Sequence, residues 1–194
     1  MYFNLLLDRL PTDYEGWLIR TDFRIGIQIS LCLGDKTLSD EERIQTAIFL
    51  LYGNGIPTDA TIAVNGLRWF LRCGGPERDD LSEDPTPPNY FLDFDSGRIW
   101  ASFMATYGID LHTAKLHWFE FCYLLASVGK DTSLRDAMEV RDYNTKDLKG
   151  AERAKVVRAK RALTPPREVT EEEKKFRDDF TAQMEDIAKV RNNG

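Results

Sequence analysis

The feature that most constrains this chain is an apolar, aromatic-rich segment between Thr113 and Ser127. Its ten central residues are Leu116, His117, Trp118, Phe119, Glu120, Phe121, Cys122, Tyr123, Leu124 and Leu125. A helix built from this run carries large side chains on several sides, so a simple amphipathic stripe does not explain it. Such a helix must be buried over most of its circumference, in a core or at a subunit contact. We therefore expect a helix that begins at Thr113 and lies at the centre of the fold.

Capping residues and breaks predict the other helices. Ser39 and Glu42 form a capping-box pattern, which predicts a helix that ends at Gly53. Its expected buried face comprises Ile44, Ala47, Ile48 and Leu51. Further helices are predicted over residues 23–33, about 59–73, from the cap Asp95 to Gly108, 133–140 and 147–163. Alternating isoleucines leave a strand as the competing interpretation of residues 23–33.

The termini of the chain differ in character. Residues 13–19 read as two short strands around a turn that contains Gly16, which predicts a small β-hairpin. At the other end, Thr164-Pro165-Pro166 is a strong helix break. The patterns together predict a mainly α protein: a multi-helix globular domain with the N-terminal hairpin over residues 1–163, then a linker and a C-terminal amphipathic helix over residues 164–194.

A single apolar stripe marks the predicted C-terminal helix. Thr170-Glu171-Glu172-Glu173 forms its capping box. The stripe consists of Phe176, Phe180, Met184 and Ile187, spaced four, four and three residues apart. This spacing places all four side chains on one face of an otherwise charged helix. The stripe fits either docking on its own domain or docking in the groove of another subunit or partner, and its four residues are the candidate self-association or partner site.

Charge and cysteine usage limit the class of protein. The net charge of −6 argues against a protein whose whole surface binds nucleic acid. The charge is also unevenly distributed along the chain. Residues 146–194 hold 13 basic and 10 acidic residues, a balance of +3, which leaves −9 for residues 1–145. Cys32, Cys73 and Cys122 form no C-x-x-C pair and lie in apolar contexts, which favours buried free thiols in a reducing compartment. With no apolar run long enough for a membrane span and no signal-peptide pattern, we expect a cytoplasmic protein.

The sequence contains little that predicts catalysis, a metal or a cofactor. The two histidines, His112 and His117, are five residues apart, which on one helix would separate them by roughly 140° and prevent a shared metal. His117 is better interpreted as a packed histidine. Neither a nucleophile elbow nor a phosphate-binding glycine loop occurs. Asp93 and Asp95 are the one carboxylate pair that could act as acid and base, but Asp95 has a simpler role as a helix cap. We expect a protein that is not an enzyme.

A basic run could contact phosphates along one helix. It consists of Lys149, Arg153, Lys155, Arg158, Lys160 and Arg161. The charges spread around the helix, and no aromatic residue is interleaved for base stacking. A solvated face, or complementarity to the acidic body of a neighbouring copy, is the preferred interpretation, and nucleic acid is not the expected partner.

Several short blocks occur together in a recognisable order. They are Asp-Arg-Leu-Pro at 8–11, Ile-Arg-Thr-Asp-Phe-Arg at 19–24, Trp-Phe-Leu-Arg-Cys-Gly at 69–74, Phe-Asp at 94–95 with Ile-Trp-Ala-Ser-Phe at 99–103, Tyr-Gly-Ile-Asp-Leu at 107–111 and Leu-His-Trp-Phe-Glu-Phe at 116–121. In this order the chain resembles the bacteriophage gene-product-fifteen family of tailed phages and prophages. The likeness covers most of residues 4–180 and includes the Thr-Glu-Glu-Glu start of the last helix.

The resemblance implies a role in tail morphogenesis. It implies a small, mostly helical, non-enzymatic tail assembly chaperone that coats the tape-measure protein in the host cytoplasm until the tail tube polymerises. It supplies no catalytic residues. Self-association would let such a protein bind many times along one tape measure. Two alternatives stay open: a structural or adaptor component of the phage particle, and a helical nucleic-acid-binding regulator that uses residues 149–161.

Overall fold

The computed structural model describes residues 3–76 and 89–166 of the chain. Contacts between residues divide the chain into two units, Met1–Leu163 and Thr164–Gly194. The predicted C-terminal helix and its stripe, Phe176, Phe180, Met184 and Ile187, lie outside the described residues, so they stay predictions, as does the two-domain organisation.

The protein is mainly α, as predicted. An antiparallel hairpin pairs β1 with β2, with Asp13 opposite Leu18 and Tyr14 opposite Trp17. Seven helices follow within the described ranges. The strands are β1 (Asp13–Tyr14) and β2 (Trp17–Leu18), and the helices are α1 (Phe23–Gly34), α2 (Asp40–Tyr52), α3 (Ala60–Leu71), α4 (Ser96–Tyr107), α5 (Trp118–Ala126), α6 (Ser133–Asp142) and α7 (Gly150–Ala162). None of these helices is long and apolar enough to cross a membrane.

Local signals set the start of α1 and both ends of α2 as expected. Asp22 caps α1 through its carboxylate, which accepts a hydrogen bond from the amide of Arg24, so residues 23–33 are helical and the competing strand is excluded. Ser39 and Glu42 form the predicted capping box, and Gly53 caps the end of α2. The predicted face of α2 is only partly correct, because Ala47 and Leu51 are buried but Ile44 is 43% exposed.

The aromatic segment does form the centre of the core. Phe119 and Phe121 are fully buried, and Trp118 is nearly so. The Phe121 ring stacks between Phe23 of α1, at 5.0 Å, and Phe103 of α4, at 5.4 Å between centroids. The helix is not buried all round, because Tyr123 is exposed.

The predicted start of this helix at Thr113 is wrong. α5 begins at Trp118, and residues 110–114 form a turn in which the amides of Thr113 and Ala114 donate to the carbonyl oxygen of Asp110. The guanidinium of Arg24 explains the difference. It donates to the carbonyl oxygens of Leu111, Ala114 and His112, at 2.7, 3.2 and 3.1 Å, and thereby holds this segment in a non-helical path across the start of α1.

The N-termini of α1 and α5 are joined directly. The amide of Trp118 donates to the carbonyl of Thr21 at 2.8 Å, and the amide of Phe23 donates to the carbonyl of Leu116 at 3.1 Å. Close packing follows along α1, where Gly26 faces the indole of Trp118. A Cβ added at Gly26 would lie 2.1 Å from Cε3 of that ring, so no larger residue fits without movement.

Candidate interaction surfaces

His117 has a structural role. It precedes α5, and its Nδ1 accepts a hydrogen bond from the amide of Phe119 at 3.0 Å, so the proton is on Nε2, which donates to the carbonyl of Pro11 at 2.9 Å. Burial lowers the pKa of His117, although the Pro11 carbonyl and the carboxylate of Glu120 oppose this shift. The prediction of a packed histidine is therefore confirmed, and the packed ring is also a helix cap.

His112 is separate from His117, and neither residue lies in a helix. The ring of His112 lies against Trp100, with centroids 5.9 Å apart. Residues 3–76 and 89–166 contain no cluster of histidine, cysteine or carboxylate side chains that could hold a metal ion. The prediction of a 140° separation assumed that both histidines lie on one helix. This assumption is wrong, because the segment between them is not helical.

The predicted role of Asp95 is wrong. It occupies the position before α4, but its side chain makes no capping hydrogen bond and is fully buried. Its carboxylate instead accepts two hydrogen bonds from Arg141, at 2.7 and 2.8 Å, and one from Arg98, at 3.0 Å. Burial opposes ionisation, but these bonds, a bond from the amide of Phe91 and the two positive charges together lower the pKa of Asp95. Asp93 is exposed and separate, so the two carboxylates form no acid–base pair.

Arg141 connects three parts of the domain. Besides Asp95, its guanidinium donates to the carbonyl of Asn89 at 3.0 Å and to the carbonyl of Leu163 at 2.7 Å. Its own carbonyl accepts a hydrogen bond from Lys160 at 2.7 Å. The ion pair therefore holds the end of α7, and with it the point where the chain leaves the domain, against the start of α4.

The thiols do not form an evident reactive site. All three cysteines are free, but only Cys73 is buried, whereas Cys32 and Cys122 are half-buried, so the predicted burial is correct for one of them. Cys73 and Cys122 share a hydrogen bond that lowers the pKa of Cys73 and, with burial, raises the pKa of Cys122.

The basic run on α7 does not form a continuous phosphate-binding face. Lys160 donates inward to Arg141, and Lys155 lines a groove on the α6 side of the helix. The remaining cations, Lys149, Arg153, Arg158 and Arg161, are exposed. The six cations therefore do not lie on one face, and a partner for α7 stays a prediction.

A groove separates α6 from α7 and has a volume of about 540 Å³. We call it the α6–α7 groove. It is lined by Asp136, Glu139, Val140 and Tyr143 on one side and by Glu152, Lys155, Val156 and Ala159 on the other. Both sets are spaced three, one and three residues apart, so each is one face of its helix. The floor is apolar and the rims are charged. α7 itself has no fully buried residue, so within residues 3–76 and 89–166 its apolar side is only partly covered.

A second apolar surface lies near the N-terminus. Leu6 and Leu7 are 92% and 82% exposed, on a turn that we call the leucine turn (Asn4–Asp8). The turn is closed by its own hydrogen bonds: the carbonyl of Asn4 accepts from the amides of Leu7 and Asp8, and the carboxylate of Asp8 accepts from the amide of Asn4 at 2.7 Å. The two leucines are therefore presented on a fixed backbone. Capping and turn chemistry predicted neither surface, although the run of three leucines was visible in the sequence.

Comparison with known proteins places the chain in a family. Neither a curated protein nor a solved structure matches it. A family model described as "Bacteriophage Gp15 protein" matches residues 6–164, which is most of the chain and nearly all of the helical domain. This match confirms the resemblance carried by the sequence blocks. The chain belongs to the bacteriophage Gp15 protein family.

Proposed function

We propose that this phage protein is a tail assembly chaperone, which associates with itself and holds the tape-measure protein in the host cytoplasm without making or breaking a covalent bond. Family membership supports the phage context. The observation that carries the holding function is the leucine turn, where two large apolar side chains stand in solvent on a backbone fixed by hydrogen bonds.

The energetics of the leucine turn suit a holding protein. Complete burial of one leucine side chain contributes about 1.5–3 kcal/mol, so Leu6 and Leu7 together contribute about 3–6 kcal/mol at most. Association entropy opposes this gain, so one leucine turn binds weakly. Weak individual contacts release readily, and many copies along one long polypeptide still bind tightly through multivalency. A chaperone that must later leave the growing tail requires this combination.

Further exposed apolar side chains widen the available surface. They include Ile44 and Phe49 on α2 and Trp100 and Met104 on α4. Trp100 and Met104 are four residues apart and share a side of α4, whereas Ile44 and Phe49 are five apart and lie on different sides of α2. Scattered apolar residues are ordinary on a protein surface, so the leucine turn is the main support for the proposal and these residues are secondary.

Co-expression with the tape-measure protein of the same phage tests the proposal. We expect the wild-type chain to raise the soluble fraction of the tape measure, and a Leu6→Asp/Leu7→Asp variant to lose most of this effect. Both side chains are exposed, so the variant should melt close to the wild-type temperature, with a change in unfolding free energy of about 0.5 kcal/mol or less.

The matched control is an Asn54→Asp/Thr58→Asp variant, which adds the same charge at two exposed positions outside the leucine turn. It should protect the tape measure as well as the wild type does. If the leucine-turn variant keeps the tape measure as soluble as the wild type does, the leucine turn is not the binding surface. If the tape measure is fully soluble on its own, the proposed holding function is wrong.

A further inference from the structure

We infer that the α6–α7 groove is a self-association site that receives the C-terminal stripe, Phe176, Phe180, Met184 and Ile187, of a second copy of this chain. The inference deepens the proposed function, since it rests on the self-association in that proposal and not on the holding of a tape measure.

α7 lacks the packing that a surface helix needs. It spans 13 residues and contributes no fully buried side chain, while Val156 is half-buried and Val157 is exposed. An isolated helix of this length is marginal in water, and helices in proteins gain most of their stability from packing of an apolar face. The hydrogen bonds through Arg141 hold only the end of α7. A third helix laid in the groove supplies the missing contact along its length.

The groove has the dimensions of a helix site. Its lining follows the same spacing on α6 and α7, and each helix contributes one half-buried valine, Val140 and Val156. The predicted stripe runs over eleven residue steps, about 16 Å of helix, and α6 and α7 are about 15 and 20 Å long. A volume of about 540 Å³ accommodates several apolar side chains.

The chain supplies its own occupant. Leu163, the last residue of the helical domain, is fixed by Arg141, and 28 residues follow Pro166. Beyond the Pro-Pro break, that segment carries the one predicted helix of the chain whose apolar side chains form a narrow stripe on a charged background. Every copy therefore carries one groove and one matching stripe. A groove on one copy and a stripe on the next make a heterologous contact, which can repeat.

Charge complementarity sets the orientation. On the predicted helix, Glu172, Asp179 and Asp186 recur every seven residues along one edge of the stripe, and Glu173 and Arg177 lie on the other edge. The α6 rim of the groove is acidic through Asp136 and Glu139, whereas the α7 rim carries one acidic residue, Glu152, and one basic residue, Lys155. The α6 rim repels the all-acidic edge of the incoming helix, so that edge lies along α7, where Lys155 pairs with it. The edge that carries Arg177 then lies along α6.

A charge exchange between copies tests the assignment. The full chain is studied alone by sedimentation velocity over a range of concentrations. Glu139→Lys places a cation on the α6 rim, and Arg177→Glu replaces the cation on the facing edge of the stripe by an anion. We expect each variant to weaken self-association about tenfold. Mixing the two variants should restore association to near the wild-type level, because the new cation on the α6 rim of one copy then faces the new anion on the stripe edge of the other.

Two further variants make the result specific. Asp131→Lys changes an exposed charge in the turn before α6, outside the groove lining, and should associate like the wild type. Val156→Asp places a charge on the groove floor and should abolish association, with circular dichroism to confirm that the fold is retained. A monomer at every concentration, or variants that weaken association without rescue on mixing, would overturn the inference. Neither result bears on tape-measure solubility, which is measured separately.

Discussion

The contact between Gly26 and Trp118 makes a sharp prediction about stability. Replacing Gly26 by Ala adds one methyl group on α1, and its carbon would lie 2.1 and 2.2 Å from two atoms of the indole ring. Ordinary van der Waals contact begins at 3.4 Å, so the ring or the helix must move by about 1.3 Å. The ring has little room, because it stacks on Phe70 at 6.1 Å and on Phe121 at 5.8 Å.

Two opposing effects determine the size of the change. Overpacking a well-filled core costs about 1–3 kcal/mol, and the enclosed indole favours the upper end. Alanine is better than glycine inside a helix by about 1 kcal/mol, which offsets part of that cost. We therefore expect Gly26→Ala to lower the free energy of unfolding by about 2 kcal/mol. For a protein of this size the melting temperature should fall by about 4–8 °C.

The same helix provides the control. Gly34 is the last residue of α1, and a Cβ added there has no atom within 4 Å. Gly34→Ala should therefore be neutral or stabilise by up to about 1 kcal/mol. Urea denaturation measures both variants. In a Trp118→Leu background the Gly26→Ala change should no longer destabilise, because the ring that it collides with is absent. A Gly26→Ala variant as stable as the wild type would refute the reasoning.

Two further predictions concern buried polar groups. Arg141→Met should lower the free energy of unfolding by about 3–5 kcal/mol, because it leaves the fully buried carboxylate of Asp95 without its main partner; a urea-denaturation loss below about 1 kcal/mol would contradict this role. The pKa of His117 is lowered in the fold, so its contribution is fully present above the ordinary histidine pKa of about 6.5 and is lost as pH falls below that value. Urea midpoints at pH 7.5 and 5 should therefore differ less in His117→Asn, which keeps a capping side chain, than in the wild type, and an unchanged difference would exclude His117 as a source of the acid sensitivity.

Local chemistry made much of the fold predictable. The capping box at Ser39 and the aspartate at Asp22 act within three residues of themselves, so the sequence around them is sufficient to identify them. The hairpin and the central place of the aromatic helix were predictable for the same reason, since turn residues and dense apolar residues carry their own signal.

Two wrong predictions, the start of α5 and the role of Asp95, arose where a residue distant in sequence forms hydrogen bonds that replace the expected local ones. Residues 113–117 look helical in isolation, but Arg24, about 90 residues away in sequence, binds the carbonyl oxygens of Leu111, His112 and Ala114 at the start of this segment. Asp95 looks like a cap, but Arg141, 46 residues later, binds its carboxylate. Neither pairing leaves a short-range pattern. The α6–α7 groove was not predicted, because the spacing of its lining residues along each helix does not show that the two faces lie side by side.

The junction between the starts of α1 and α5 also affects the order in which the chain folds. Asp22 and His117 are bridge partners, and Thr21 receives its hydrogen bond from Trp118, so this seam joins residues 95 or more positions apart. During synthesis at about 5–20 residues per second, the first helix therefore waits roughly 5–20 seconds for the segment that covers it. Throughout that interval the side of α1 that packs against Trp118 and Phe121 in the folded protein stays open to water, although α2 is already available to cover its other side.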